Sequence, residues 1–323
     1  MTDACCWTCI ASALSWSRPP ATSRLTPPEP RYHGVLRIDL HTHTDQSDGT
    51  SAPDELVRQA LAVPLGALAI TDHDTFAGYE QAAPVAREAG LELVRGIELS
   101  TRLSLAGRHG RAPTAHLLGY FVQGEPSAEF RAWLQGQGKN RDRRNVALIA
   151  KLRSLGVDIT LEEVKQVGRN QTGRPHFASV LVRKGYALNH RQAYDFYLAD
   201  EARAAVEREQ VPVGEGLRRL REAGAVPVLA HPIRMPFGPA DERLIDLLGH
   251  LKEQGLEGLE CQHSEHSAED VAAFQSLARK LDLKETGGSD FHGGNKPDID
   301  LGTGRNGNVH VAYEQLEALR TPR

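Results

Sequence analysis

Short apolar runs rich in Val, Ile and Leu recur along the chain at 35–40, 67–71, 91–99, 115–121, 225–230, 256–261, 283–286 and 309–312. Stretches of helical period separate them, at 53–62, 79–89, 242–253 and 268–281. Strands alternating with crossover helices predict an α/β fold built on a parallel sheet or barrel. Pro53 suits the first turn of a helix, with Thr50 or Ser51 before it as a cap. The rhythm breaks between 124 and 207, where no strand is evident and the residues are polar, basic and of helical period. The pattern predicts a helical insertion at 124–207 that divides a barrel into a first part, 37–123, and a second, 208–323. Within it a long helix spans 127–155 and ends at Gly156, followed by shorter helices at 161–167, 175–184 and 190–199. Lys139, Arg141, Arg143, Arg144, Lys151 and Arg153 make the long helix basic. That is either a solvated face or a lid carrying cations toward a phosphate substrate.

A chain of 323 residues, 40% hydrophobic and 25% charged, can bury a full core. Its formal net charge of -4 gives no general attraction to nucleic acid, so no groove for a long duplex is expected. A polyanionic substrate must then be held by local cations. Cys5, Cys6 and Cys9 stand near the start and Cys261 stands alone, which is no disulfide framework and fits a reducing cytoplasm. No second ligand pair follows the first three, which argues against a zinc site there. The start carries Asp3 and no basic residue, unlike a signal peptide, and no run reaches the length of a membrane span. Five prolines at 17–30 mark residues 1–36 as a disordered tail.

The informative pattern is where His and acidic residues fall. The first strand runs into His41-Thr-His43, and alternation along an extended chain puts both imidazoles on one side. Asp48 follows in a turn. The second strand ends at Asp72-His73-Asp74, the third reaches Glu98, and His116 opens another. Leu229-Ala-His231-Pro closes a strand after the insertion, and Gly288-Ser-Asp290-Phe-His292 follows the last inner one. Carboxyl ends of strands form the functional face of such sheets, so these side chains can converge. Six His and three acids gathered without a metal would be poorly satisfied and mutually repulsive. Imidazole with carboxylate, and no paired Cys, suits manganese, zinc or iron, and nine ligands suffice for two or three divalent ions. Such a site lowers the pKa of water and clamps a phosphoryl group, so hydrolysis of a phosphate ester is the expected reaction. His33, His109, His190, His250 and His310 lack this placement; His176, His263 and His266 stay open.

At these residues the sequence resembles the PHP (polymerase and histidinol phosphatase) family: at His41-Thr-His43, Asp48-Gly, Thr71-Asp-His73-Asp, Gly96-Ile-Glu98, His116-Leu-Leu-Gly-Tyr, Ala230-His231-Pro and Gly288-Ser-Asp290-Phe-His292. The resemblance covers about residues 37 to 320 and implies a distorted seven-stranded (βα) barrel, TIM-like, with a trinuclear site. It implies one ion on His41, His43 and Asp290 with Glu98 as a bridge, a second on Asp48, His73 and His292, and a third on Glu98, His116 and His231. A metal-bridging hydroxide would be the nucleophile. Asp72 and Asp74 would orient metal-bound His, or Asp74 would cap the next helix.

Within that family the insertion is similar to that of the nucleoside 3',5'-bisphosphate phosphatase and RNase AM group, which also trims short 5'-phosphorylated RNA. Arg144-Asn145, Gly173-Arg-Pro-His176-Phe-Ala and the position of Arg208 carry the likeness. It implies that Arg208, His176 and Arg174, with Arg144 and His263 behind them, hold a phosphate that is not cleaved. Arg174 and His176 could equally cap or pack the insertion. Glu207-Arg208-Glu209 departs from the Tyr-Val-Pro and basic residue common in that group. The competing expectations are a histidinol-phosphate phosphatase, against which the Arg-rich insertion argues, and an inactive metal-binding regulatory protein, against which the intact ligand set argues.

Overall fold

The structure is a computed structural model that describes residues 37–103, 113–168, 171–206 and 211–322. The expected tail 1–36, His109 and Arg208 lie outside the described residues. The strands are β1 (Arg37–Asp39), β2 (Ala67–Ile70), β3 (Glu92–Arg102), β4 (Thr114–Tyr120), β5 (Val211–Pro212), β6 (Val226–Leu229), β7 (Gly258–His263), β8 (Lys284–Gly288) and β9 (Val311–Ala312). They form one sheet in the order β8-β7-β6-β4-β3-β2-β1-β9, with β5 beside β3. Backbone bonds from Leu40 N to Gly287 O (3.3 Å), Asp290 N to His41 O (2.8 Å) and His43 N to Phe291 O (2.9 Å) join the chain after β1 to β8 and the turn after it. Seven strands thus close into a distorted barrel, and β5 and β9 flank it.

The all-parallel expectation fails at two strands, the flanking β9, which runs antiparallel to β1, and β4 inside the barrel. β4 runs antiparallel to both β3 and β6. Residues 103–113 are too few for the crossover that a parallel return needs. The reversal matters to function, because the start of β4 then lies at the end where β3 and β6 finish. His116, near that start, sits opposite Ser100.

Residues of β1, β2, β3, β4, β6 and β9 meet in one apolar cluster that includes Ile38, Ala67, Val94, Leu118 and Val228. Only the inner face of a closed sheet lets strands so far apart in the order touch. Helices α1 (Pro53–Ala62), α2 (Ala77–Ala89), α7 (Val213–Glu222), α8 (Glu242–Glu253), α9 (Ala268–Lys280) and α10 (Tyr313–Arg320) accompany the strands. Leu56 and Ala82 of the first two pack on Leu68 and Ile70 outside the sheet, whereas Leu217, Leu248 and Phe274 pack with Leu117 and Leu259. Each helix buries an apolar stripe against the sheet, the arrangement that stabilises an α/β barrel. The sequence pattern passed over α7 and α10.

The expected insertion is helical: α3 (Ala128–Ser154), α4 (Leu161–Gly168), α5 (Arg174–Arg183) and α6 (His190–Ala193). After α6 the chain forms a π-helical turn, Tyr194–Leu198, where a continued α-helix was expected. The hydroxyl of Ser127 accepts from Phe130 N at the start of α3, and Gly156 takes a φ of +79° just past its end. This helix belongs to two cores. Phe130 and Leu134 join the barrel cluster, while Leu148, Ile149 and Leu152 join a separate one with Val164, Phe177 and Leu181. Its middle turns carry Arg141 and Asn145, both buried. No described helix is long and apolar enough to cross a membrane.

Candidate metal centre

The nine His and acidic residues singled out by their places at strand ends come together at one end of the barrel. Glu98, 1% exposed, is the hub. Its Oε2 lies 3.3 Å from His41 Nε2, 3.1 Å from His43 Nε2 and 3.3 Å from His73 Nδ1. Its Oε1 lies 2.8 Å from His116 Nδ1 and 2.9 Å from His231 Nε2. Asp290 Oδ1 stands 3.5 Å from His41 Nε2 and 3.4 Å from His43 Nε2. Asp48 faces His292 Nε2 at 3.2 Å and His73 Nε2 at 3.7 Å.

Three sets of donor atoms fall within 4.8 Å of one another: His43, Asp48, His73 and His292; His41, His43, Glu98 and Asp290; and His73, Glu98 and His116. His43 and His73 each enter two sets, where the family likeness gave each to one ion. His231 stands beside the third set through Glu98 Oε1.

The donors fit divalent cations on a specific observation. His41 Nε2, His43 Nε2 and His73 Nδ1 are buried and have no hydrogen-bond partner, though each faces a carboxylate oxygen. An orphaned imidazole nitrogen is costly to bury unless something accepts its lone pair. The opposite nitrogens are held. His41 Nδ1 bonds Glu260 Oε1 (2.8 Å), and His292 Nδ1 bonds the carbonyl of Asp290 (2.8 Å). A ring that donates on one side presents a lone pair on the other, the tautomer a metal ligand needs. The assignment of these tautomers follows from the partners.

Charge in the cluster is strongly coupled. Burial pushes the Glu98 carboxyl up, but the imidazoles of His73, His116 and His41 outweigh it and hold it well below the usual range. Burial likewise opposes ionisation of Asp48, and His292 and His73 overcome it. Burial works against charge on His43, and the carboxylates of Asp290 and Glu98 that face it lift it to about 9 nonetheless. His73 goes the other way, to about 3, because burial dominates. Proton-bearing imidazoles therefore balance the carboxylates of the metal-free chain, and cations would take the place of those protons.

Backbone strain concentrates here. Asp74, His231 and Asp290 have φ of 53°, 27° and 56°. Such conformations cost roughly 1–3 kcal/mol each and persist only where the surroundings enforce them. Gly288 is required for a related reason: a Cβ there would overlap the backbone and Cβ of His41.

Asp72 accepts from Thr44 N (2.8 Å), Thr44 Oγ1 (2.7 Å) and Ser47 Oγ (2.6 Å), which pins the turn between His43 and Asp48. Ser47 Oγ in turn lies 3.4 Å from His43 Nδ1. Asp74 accepts from Ser100 N (2.8 Å) and pairs with Arg141 of α3, tying the helical region to the site; α2 has no side-chain cap. The sequence reading missed Glu260, which also accepts from His231 N at 2.6 Å. It missed Asp39 too, whose carboxylate accepts from His41 N (3.2 Å), Ser289 Oγ (2.5 Å) and Gly302 N (2.8 Å). The signal was available: an acid inside a buried apolar strand must have partners.

A cavity of about 350 Å³ opens over the cluster. The nine-residue cluster is its floor, and Asp48, His73, Glu98, His116, Asp290 and His292 line the cavity directly. Arg141, Arg144, Arg174, His176, His190 and Tyr194 of the helical region line one side. Arg174 donates to Asp200 Oδ1 (2.8 Å), and His176 Nδ1 accepts from Gly173 N (2.9 Å), so both also secure the insertion. Burial lowers the pKa of His176. His263 is placed elsewhere than expected. It is fully buried behind Asp290, with Nε2 3.2 Å from Asp290 Oδ2 and Nδ1 accepting from Glu265 N (3.1 Å), and it does not line the cavity.

The PHP domain model matches residues 39–173, the stretch holding His41 through His116. A 5'-3' exoribonuclease of Haemophilus influenzae is 31% identical over 79% of this chain and 90% of its own length. The chain belongs to the PHP domain family. Two further relatives differ in the substrates they are named for. A phosphoribosyl 1,2-cyclic phosphate 1,2-diphosphodiesterase of Eggerthella lenta is 32% identical over 79% of this chain and 94% of its own. A 3',5'-nucleoside bisphosphate phosphatase of Chromobacterium violaceum is 30% identical over 83% and 91%. The fold also matches a solved amidohydrolase of Chromobacterium violaceum with bound sulfate and no metal, at a TM-score of 0.73 and 28% identity, covering 88% of this chain and 96% of that one.

Proposed function

We propose that this PHP-domain hydrolase of phosphate esters acts on nucleotides that carry a second phosphate, namely nucleoside 3',5'-bisphosphates and short 5'-phosphorylated oligoribonucleotides. The observation that carries the reading is the pairing within one cavity of a His and carboxylate floor with a wall of Arg141, Arg144, Arg174 and His176. The floor accounts for the ester that is cleaved. The wall brings three guanidinium groups to the cavity, two of them held in place by Asp74 and Asp200, and guanidinium groups match phosphate in geometry. The names of the Haemophilus and Chromobacterium relatives agree with this pairing.

The nine floor residues would hold two or three manganese, zinc or iron ions, with Glu98 placed at the centre of the donor set. Bound divalent cations supply a water of lowered pKa and polarise the phosphoryl oxygens. The chain does the rest. Glu260 fixes the ring of His41, Asp72 fixes the turn that sets Asp48, and the helical wall orients the remote phosphate so that the ester lies over the floor.

A second reading follows the Eggerthella relative, a diester cleavage on a cyclic ribose phosphate. A competition panel with manganese separates the two. It contains adenosine 3',5'-bisphosphate, AMP, 5'-phosphorylated short RNA, histidinol phosphate and a ribosyl 1,2-cyclic phosphate. The bisphosphate or the short RNA is turned over with the highest kcat/KM. Preference for the cyclic diester or for histidinol phosphate overturns the substrate assignment and leaves the chemistry standing.

A further inference from the structure

Opposite the insertion, the cavity has a second cationic side made by Arg234, Asn295 and Lys296, which the nucleotide reading does not use. These two cations differ in how they are held. Arg234, in the 3-10 turn after β6, is engaged through Nε and Nη2 by Glu265 at 2.8 and 2.6 Å, and its Nη2 also lies 3.1 Å from Asp290 Oδ2. Its fork is occupied by carboxylates. Among the described residues the ammonium of Lys296 has one side-chain partner, Asp290 Oδ2 at 2.6 Å, and Lys296 lines the cavity.

Asp290 divides its two oxygens between separate tasks. Oδ1 points to His41 and His43, on the cation side. Oδ2 is enclosed by His263, Arg234 and Lys296. Lys296 therefore stands one carboxylate away from the place where the ester must lie. Its loop is not free to wander. Gly294 N donates to Thr50 Oγ1 (2.8 Å), Asn295 Nδ2 to the carbonyl of Asp48 (2.7 Å), and Lys296 N to the carbonyl of Gly293 (3.0 Å).

We infer that Lys296 is a catalytic residue: its ammonium, steered by Asp290, donates to a non-bridging oxygen of the phosphoryl group under attack. It neutralises charge that builds there, from a preset position that requires little reorganisation. No proton need leave the lysine. The P–O bond to the leaving group breaks as the bond to water oxygen forms, a proton from that water ends on the leaving oxygen to give the alcohol and phosphate, and Lys296 stays protonated as a charge partner throughout. The inference rests on the phosphoesterase reading of the floor, and on nothing about the nucleotide.

The alternative is that Lys296 is only a counter-ion that keeps Asp290 in place for the metal. Lys296→Met and Lys296→Arg separate the two, assayed with p-nitrophenyl phosphate and with adenosine 3',5'-bisphosphate at saturating manganese, with bound metal measured on the same samples. Lys296→Met is expected to keep its metal content and its melting temperature and to lose kcat by about a hundredfold or more on both substrates. KM changes little, and Lys296→Arg recovers at least part of kcat by restoring the charge. A kcat within about threefold of the parent, or a loss that tracks metal content and disappears as manganese is raised, overturns the inference. Wild-type protein that hydrolyses neither substrate with manganese bound marks failure of the phosphoesterase reading itself, before the variants are compared.

Discussion

The floor of the cavity and its helical wall are built on different principles. On the floor, nine buried or nearly buried side chains sit at the ends of barrel strands, and most of them have a second partner that fixes their orientation. On the wall, cations project from helices that have their own apolar core and are joined to the barrel by α3 and the Asp74–Arg141 pair. A rigid sheet positions atoms to a fraction of an ångström, which chemistry on phosphorus requires. Helices on a separate core can vary their charges without disturbing that geometry.

If the division holds, damage to the floor removes the reaction and damage to the wall alters only the substrate. Glu98→Ala has the largest effect, because Glu98 faces five imidazoles. Turnover falls by more than about a thousandfold with loss of bound metal, read by steady-state kinetics and elemental analysis. A normal rate in that variant would remove the shared-ligand assignment. Asp74→Ala should lower stability by about 1–3 kcal/mol, since it removes a buried carboxylate that meets both Arg141 and Ser100 N. Urea unfolding measures it, and a change below about 1 kcal/mol would mean the two regions are not coupled there. Glu260→Gln should weaken metal affinity by about 10–100-fold while the fold persists, measured by manganese titration. Arg144→Ala should raise KM for a bisphosphate about tenfold and leave kcat on p-nitrophenyl phosphate almost unchanged. Equal losses on both substrates would place Arg144 with the floor.

The smallest effect concerns protons. In the metal-free chain His43 has a folded pKa of about 9, above its ordinary value of 6.5. A raised value means that its charge stabilises the metal-free fold fully below the ordinary value, and that this contribution is lost as pH rises through about 9. Metal must displace that proton. Manganese binding near neutral pH should therefore release on the order of one proton or more per chain, and affinity should rise with pH. Calorimetry in buffers of different ionisation enthalpy reads this directly, and zero release would contradict the charge balance described for the cluster.

Much of this was legible in the chain itself, and the limits have physical causes. His41, His73, Glu98, His231 and Asp290 announced themselves because apolar strands ran straight into them, and a repeated placement of that kind is rare by chance. The antiparallel course of β4 was hidden, since periodicity marks a strand without its direction. Glu260 and Asp39 lie inside apolar runs, and partners of theirs come from the segments after β1, β6 and β8, which no local pattern joins. His263 looked like a rim residue, yet β7 carries it behind Asp290. Lys296 gave no signal at all: one lysine in a glycine-rich loop acquires meaning only from what the fold sets beside it.

The central claim is that side chains from the first barrel strand to the last share cations around Glu98. Anomalous diffraction at the manganese edge, on crystals grown with manganese, tests it most directly. Two or three peaks are expected beside the Glu98 carboxylate, each within about 2–2.5 Å of imidazole nitrogens or carboxylate oxygens of the nine residues. A map with no anomalous peak at Glu98, in crystals whose protein hydrolyses phosphate esters, would contradict the account.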